Sequence, residues 1–310
     1  MTEPTTDAPA EGAPTCYRHP ARETYVRCTR CDRPICPDCM TTASVGFQCP
    51  ECVREGNKSV RQARTQFGGR VVAESNVTKV LVAINVVLFV GQLASTRVTD
   101  ELDMWNAAVA FGGEYYRMVT SAFLHDPRIL FHLLFNMYAL VAFGGQMERL
   151  LGATRYLALY VVAALGGSVA TFYFGQAELR SLGASGAVFG LFGAYFVLAR
   201  SLRADTSQIL VLIGINVAFG VVFHRYINNY AHGGGLVTGG LVAWCYTIGR
   251  KDPAGRNTRR TAIHLGAAAA IAVALLAATA YRVGELRDQY GPVRIVASSD
   301  AAVSPETPSR

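Results

Sequence analysis

Charged residues are scarce in this chain. They make up 16% of its 310 residues, whereas hydrophobic residues make up 51%. Soluble globular domains carry about 25% charged residues, so the composition argues against that class. The apolar residues fall in runs of about 16 to 20, the length that crosses the hydrocarbon core of a bilayer. The composition therefore predicts an all-α polytopic membrane protein.

The sequence also shows neither the pattern typical of a nucleic-acid-binding surface nor that of a secretory leader. The net charge is +7, but the basic residues lie in short segments between the apolar runs. That pattern is typical of membrane orientation and not of a nucleic-acid groove, so we expect no nucleic-acid partner. The first 50 residues are polar and rich in cysteine, and we therefore expect no cleavable signal peptide.

Cysteine is nearly absent after residue 52, where only Cys245 occurs, but the segment before it is dense in cysteine. Seven cysteines and one histidine form four pairs, each with two residues between its members: Cys16/His19, Cys28/Cys31, Cys36/Cys39 and Cys49/Cys52. Two such pairs complete one tetrahedral site, so the spacing predicts two structural zinc ions on which this segment depends for folding. A disulfide knot is the alternative, but it needs an oxidising compartment.

Seven apolar segments predict seven transmembrane helices, at about 77–94, 129–145, 156–174, 182–199, 208–223, 231–248 and 262–281. The resulting domain plan is a disordered tail at 1–15, a zinc module at 16–52, a basic linker at 53–76, a six-span core at 77–250, a basic loop with the seventh span at 251–281, and a disordered outer tail at 282–310.

Basic residues favour the cytoplasmic side of a membrane. A cytoplasmic N-terminus places Arg155, Arg200 and the basic loop 250–260 on that same side. The zinc module is then cytoplasmic, where thiols stay reduced, and the C-terminal tail lies outside. The sequence thus predicts a multi-pass protein of a bacterial-type cell membrane.

Four polar residues lie at matching depth, near the outer ends of three spans. Ser185 is about one turn inside the fourth span and His232 opens the sixth, while His132 and Asn136 share one face of the second. Each alone is better explained by a hydrogen bond between helices. Because polar groups are costly in a membrane and usually face a protein interior, the four together predict a site.

The chemistry that these residues permit is acyl transfer, since a histidine can take the proton of a serine nucleophile. The fourth and sixth spans contain no Asp or Glu, so we expect a dyad. The spacing of Gly186 with Gly190, and of Gly235 with Gly239, predicts a close helix crossing. His132, Asn136 and the backbone N–H of Ser185 are candidate oxyanion donors.

Four motifs carry a family resemblance: GEYYR at 113–117, HLLFN at 132–136, GASG at 183–186, and AHGGG at 231–235 followed by Gly239. Over about residues 77–250 the chain resembles the rhomboid intramembrane serine proteases. The resemblance implies a rhomboid-like six-helix core plus a C-terminal seventh transmembrane helix, and cleavage of single-span membrane proteins near the outer end of their spans, without a cofactor for catalysis. It implies Ser185 as nucleophile and His232 as general base, with oxyanion or supporting roles for His132, Asn136, Gly183 and Phe189.

The N-terminal run resembles B-box-type zinc fingers, whose ligand pairs interleave. The resemblance implies one ion on Cys16, His19, Cys36 and Cys39, and the other on Cys28, Cys31, Cys49 and Cys52. A protein partner of this module is an open expectation, beside the lipid bilayer itself.

Two further functions compete with a protease. A catalytically inactive rhomboid-like scaffold would bind transmembrane clients, but such relatives typically lack the serine or the histidine. A transporter predicts charged residues at the midplane and internal repeats, and the sequence offers neither.

Overall fold

The fold is that of a computed structural model, which describes residues 13–59, 64–248 and 257–291. The chain divides into two compact units, 1–62 and 63–310. Nearly all of the expected tail at 1–15 and most of the expected tail at 282–310 lie outside the described residues.

The first unit is built from two short antiparallel hairpins and one helix. Strands β1 (Thr15–Cys16) and β2 (His19–Glu23) form one hairpin, β3 (Thr41–Thr42) and β4 (Phe47–Gln48) form the other, and helix α1 (Pro50–Ser59) follows. Its buried core consists of six cysteines and Ile35. Such a core is too small to hold a fold by hydrophobic burial alone.

The second unit is a helical bundle with one further pair of short strands. Its elements in chain order are α2 (Asn76–Ala94), α3 (Thr96–Leu102), β5 (Met104–Trp105), α4 (Arg117–Thr120), α5 (Leu130–Ala139), α6 (Gly145–Leu151), α7 (Ala153–Phe174), β6 (Arg180–Ser181), α8 (Ser185–Ser201), α9 (Ser207–Val222), α10 (Asn229–Thr247) and α11 (Asn257–Tyr290). A π-helical turn, Leu140–Gly144, joins α5 to α6. The predicted fold class, an all-α membrane protein with a small cysteine-rich module, is confirmed.

A helix lies at each of the seven predicted spans. Four helices are long and apolar enough to cross a membrane, namely Asn76–Ala94, Leu130–Leu151, Ala153–Phe174 and Arg259–Tyr290. The apolar helices α8 and α9 are shorter. Apolar side chains cover the outside of the bundle, as along α5, where Phe131, Phe135 and Tyr138 are exposed. A surface of this kind needs lipid around it.

Two predicted boundaries differ from the structure. The linker expected at 53–76 begins inside α1. Phe67, which belongs to the same expected linker, is fully buried against the bundle. The outer tail expected from residue 282 begins as helix, because α11 runs on to Tyr290. Val283 is buried there, and Arg287 Nε donates to the Ala110 carbonyl at 2.7 Å.

Buried polar contacts tie the ends of the helices together. The Glu148 carboxylate, 1% exposed, accepts hydrogen bonds from the backbone N–H groups of Val77 and Thr78 at 3.0 and 2.9 Å. It therefore caps the N-terminus of α2 from another helix. Near the start of α11, Arg155 Nε donates to His264 Nδ1 at 3.1 Å, which joins α7 to α11.

Helix α10 packs between α7 and α8 at glycine contacts. A Cβ added at Gly235 would overlap the Gly186 carbonyl oxygen of α8, and one at Gly239 would overlap Gly190. On the other side, a Cβ at Gly234 would lie 2.5 Å from the Gly166 carbonyl oxygen of α7. Only glycine permits backbones to approach this closely on two sides of one helix.

We predict that Gly235→Ala lowers the stability of the bundle by about 1–3 kcal/mol, because the added methyl group forces α8 and α10 apart. The measurement is the unfolding free energy of purified protein in detergent. Gly240→Ala, in the same helix, is the matched control, because a Cβ there lies 3.7 Å from its nearest neighbours. Equal stability of the two variants would contradict the close crossing.

Candidate active site and metal centres

Ser185 and His232 meet at the N-terminal ends of α8 and α10. Ser185 Oγ lies 2.9 Å from His232 Nε2, within hydrogen-bond distance. The two residues are 47 positions apart in sequence, and the glycine crossing brings their helices close enough for the short serine side chain to reach the ring. In the described part of the chain, no carboxylate is hydrogen-bonded to His232, so the arrangement is a dyad.

The backbone before Ser185 follows a path that only glycine accepts easily. Gly183 has φ +137°, and its N–H donates to the Ser121 carbonyl at 3.0 Å. Ser185 is the first residue of α8, whose first turn presents N–H groups without a partner in the helix. These donors, and the positive end of the helix dipole, suit a developing negative charge.

Phe189 lies one turn after Ser185 and stacks on the His232 ring. The ring centroids are 4.0 Å apart and the planes differ by 12°. Phe189 is itself held in a buried cluster with Val188, Phe192 and Ile209. The stack fixes the plane of the imidazole without any hydrogen bond to it.

His132 borders the same space. Its Nδ1 accepts the backbone N–H of Asp126 at 3.4 Å, which leaves the hydrogen of a neutral ring on Nε2. A Cβ built on Gly183 would lie 2.9 Å from His132 Nε2 and 3.6 Å from Ser185 Oγ. A donor nitrogen and the serine oxygen therefore face one small volume.

Asn136 lies one turn after His132 on the same helix face and is buried. Its Nδ2 donates to the His132 carbonyl at 2.8 Å, inside its own helix. This bond uses one of the two amide hydrogens, so the structure leaves one donor of Asn136 for other use.

His125 is a site neighbour that the sequence patterns do not single out. Its ring lies 5.0 Å from that of His132 and is fully buried. Burial lowers the pKa of His125 to about 3, and the charge of His132 acts in the same direction. His125 is therefore neutral throughout the physiological pH range, and neither of its buried ring nitrogens has a hydrogen-bond partner among the described residues.

Asn228 is a second residue that the patterns missed, although an Asn just before a helix is a common N-cap. Its Oδ1 accepts the Ala231 N–H at 3.2 Å and caps α10, and its Nδ2 donates to Thr171 Oγ1 of α7 at 2.9 Å. Together these bonds fix the N-terminal end of α10, and His232 lies one turn after Asn228.

The cysteines of the first unit form two clusters. Cys16, His19, Cys36 and Cys39 make one, and Cys28, Cys31, Cys49 and Cys52 the other, with all ligand atoms of each cluster within 4.8 Å of one another. These are the two interleaved sets that the resemblance to B-box fingers implies.

The donor sets fit a tetrahedral metal ion. Bonds of about 2.3 Å to sulfur place two sulfur ligands about 3.8 Å apart. Cys31 Sγ and Cys49 Sγ lie 3.7 Å apart, and His19 Nδ1 lies 3.4 Å from Cys39 Sγ. The backbone N–H of Cys49 also donates to Cys28 Sγ at 3.2 Å, a contact that suits a thiolate ligand. All eight cysteines are free of disulfides.

Comparison of the sequence with known proteins finds relatives of this chain. The family model described as "Rhomboid domain" matches residues 112–249. The chain is 40% identical over 136 residues to Rhomboid protease GluP of Bacillus subtilis, covering 42% of this chain and 26% of that protein. It is 33% identical over 150 residues to the Putative rhomboid protease YdcA of the same organism, covering 47% of this chain and 73% of that protein.

A plant relative gives a similar alignment. RHOMBOID-like protein 6, mitochondrial, of Arabidopsis thaliana is 35% identical over 159 residues, which is 49% of this chain and 50% of the relative. The aligned part therefore spans between a quarter and a half of the length of GluP and of this plant protein.

We predict that Asn228→Ala lowers the unfolding free energy by about 1 kcal/mol or more, because it removes both the cap of α10 and the bond to Thr171. Asn228→Ser is the matched control: it keeps a capping oxygen, so its loss should be smaller. The two variants are compared by chemical denaturation in detergent. An Asn228→Ala protein as stable as wild type would show that the cap contributes nothing to the unfolding free energy.

Proposed function

Because this chain belongs to the rhomboid family, we propose that it is an intramembrane serine endopeptidase that cleaves transmembrane segments of membrane proteins near their outer ends. The observation that carries the proposal is the distance of 2.9 Å between Ser185 Oγ and His232 Nε2 at the start of α8. Members of this family are integral membrane proteins, and the apolar helices of this chain agree with that placement.

In the proposed reaction, His232 takes the proton of Ser185 as the serine oxygen attacks a peptide carbonyl of the substrate. The protonated imidazole then gives that proton to the leaving amine, and a water molecule releases the acyl group by the reverse sequence. The stack of Phe189 on His232 supports this role, because it holds the ring in the plane from which Nε2 faces the serine.

The oxyanion of the tetrahedral intermediate requires donors that are already in place. We assign this role to the backbone N–H of Ser185, to Nε2–H of His132 and to the remaining amide hydrogen of Asn136. Gly183 leaves room for the intermediate, because a side chain at this position would contact His132.

A substrate span must reach the dyad from the lipid, and α9 is the helix that we propose as the gate. Among its sixteen residues, only Ile209 and Gly220 are buried. Asn229 Nδ2 donates to the Gly220 carbonyl at 2.8 Å and holds the outer end of α9 to α10. A helix attached at so few points can move at small cost in free energy.

We place the N-terminus and the cysteine-rich unit in the cytoplasm and the C-terminal tail outside a bacterial-type cell membrane, from the distribution of basic residues. The proposed partners are single-span membrane proteins as substrates and the lipid bilayer, with a protein partner of the cysteine-rich unit. The two clusters would each hold a structural zinc ion, which supplies folding free energy to that unit and plays no part in the reaction.

We predict that Ser185→Ala and His232→Ala each abolish cleavage of a model transmembrane substrate, and that the double variant is little worse, because the two act as a unit. The measurements are cleavage in detergent or vesicles and labelling by a fluorophosphonate probe. Ser201→Ala, at the other end of α8, should keep the wild-type rate.

A wild-type protein that binds transmembrane clients but neither cleaves them nor reacts with the probe would be an inactive scaffold. Cleavage retained by purified Ser185→Ala protein would contradict the serine mechanism.

Removal of residues 1–62 should leave activity on a simple substrate intact, whereas a cut beyond Phe67 removes a buried side chain of the bundle.

We predict two zinc ions per chain by metal analysis of the full-length protein, and about one in Cys36→Ser, because that variant breaks one ligand set. Cys245→Ser is the matched control and should keep two, since Cys245 belongs to neither cluster. Metal-free protein from intact cells with disulfide-linked cysteines would overturn both the zinc assignment and the cytoplasmic placement.

A further inference from the structure

Asp103 lies between two arginines in the segment 95–129, which connects α2 to α5 and which we call the outer loop. Its side chain is 4% exposed. Arg117 Nη1 donates to Oδ1 at 3.0 Å, and Arg180 Nε donates to Oδ2 at 2.8 Å. Burial raises the pKa of Asp103, and the hydrogen bond and charge of Arg180 oppose that shift. A carboxylate buried this deeply is stable only with such partners, so the three side chains form one unit.

The unit joins two distant parts of the chain. Asp103 directly precedes β5, and Arg180 opens β6, which pairs with β5 through Met104↔Ser181 and Trp105↔Arg180. The Arg180 guanidinium also lies 5.0 Å over the ring of Trp105. A pair of two-residue strands is too short to hold by itself, so the ion pair and the ring contact supply the attachment.

The attached segment leads directly to the nucleophile. Arg180 precedes Ser185 by five residues, and between them Gly183 is fixed by its bond to the Ser121 carbonyl. Gly183 is also the residue that His132 Nε2 faces. A shift of the chain at Arg180 therefore moves Gly183 and the first N–H of α8 relative to His132, whereas the rest of α8 stays fixed by its glycine contacts.

Asp103 lies outside residues 112–249, the part of the chain matched by the family model. Arg117 has further partners, since it also pairs with Glu114 and donates to the Asp100 carbonyl. Arg180 also donates to the Asp100 carbonyl, at 3.2 Å, but the Asp103 carboxylate is its closest ion-pair partner among the described residues. The link from the outer loop to the serine segment thus depends mainly on the pair Asp103–Arg180.

We propose that Asp103 and Arg180 are positioning residues, which hold segment 180–184 so that the Ser185 N–H and Oγ stand correctly against His132 and His232. This inference rests on the proposed protease function. It concerns the geometry of the oxyanion site and not the binding of the substrate span, which is taken up along α9.

The test compares Asp103→Asn with wild-type protein in cleavage of a model transmembrane substrate and in the rate of labelling by a fluorophosphonate. Both assays are run well below the lowest unfolding midpoint of the set. We expect kcat and the labelling rate to fall together by about 10- to 100-fold, with KM changed less than about twofold, because a displacement near 1 Å costs a rate factor of this order.

Asp100→Asn is the matched control. It removes a carboxylate from the same loop, but that side chain is 53% exposed and lies 3.6 Å from Arg180. An exposed pair of this kind contributes little, so both rates should stay within about twofold of wild type.

Two further variants separate positioning from stability. Arg180→Gln combined with Asp103→Asn should be little slower than the slower single variant, because each single variant already breaks the ion pair between the two residues. Arg180→Lys keeps the charge without the forked hydrogen bonds and should lose less than Arg180→Gln.

A lower unfolding midpoint with wild-type labelling of the folded protein would overturn the inference, and so would a change confined to KM. If the wild-type protein is active, either result overturns only this inference and not the proposed protease function. A wild type that neither reacts with the probe nor cleaves would overturn both.

Discussion

The rest of the site depends on the close contact of α8 with α10. Serine has a short side chain, so its oxygen reaches an imidazole on another helix only when the two backbones nearly touch. Gly186 and Gly235 permit that approach, and Gly166 and Gly234 let α10 approach α7 on the other side. The Asn228 cap then fixes the position along α10 from which the His232 side chain projects. Packing of small residues thus sets the geometry of a polar pair in an apolar bundle.

A second set of contacts connects this pair to parts of the chain beyond the family-matched residues. Asp103 and Arg180 hold the segment before Ser185 to the outer loop, and that loop contacts the C-terminal end of α11 through Arg287 and Val283. Helix α11 is in turn joined to α7 by Arg155 and His264. Helix α11, the seventh predicted span, therefore helps to support the outer loop.

The cysteine-rich unit follows a different physical rule. Its buried core consists of Ile35 and six of the cysteines that form the two candidate metal clusters, so folding of this unit and binding of metal would be coupled. The four ligand pairs, each with two intervening residues, are local features that can be recognised in the sequence. Which pairs lie together depends on the tertiary structure, which brings them into the two interleaved clusters that the resemblance to B-box fingers implies.

The sequence by itself determined the fold class, the seven helices and the four polar residues at matching depth, because hydropathy and helical spacing are local signals. It also indicated the glycine crossing. It did not determine the cap of α2 by Glu148, the tautomer of His132 set by Asp126, or the pairing of Asp103 with Arg180. Hydropathy predicts that the last helix ends at residue 281, before the first charged residues. In the structure α11 continues to Tyr290, where Val283 and Arg287 contact the rest of the bundle. Glu148 and Arg180 act on residues some 70 to 80 positions away, and the free energy of a buried charge depends on which partners the folded chain brings to it.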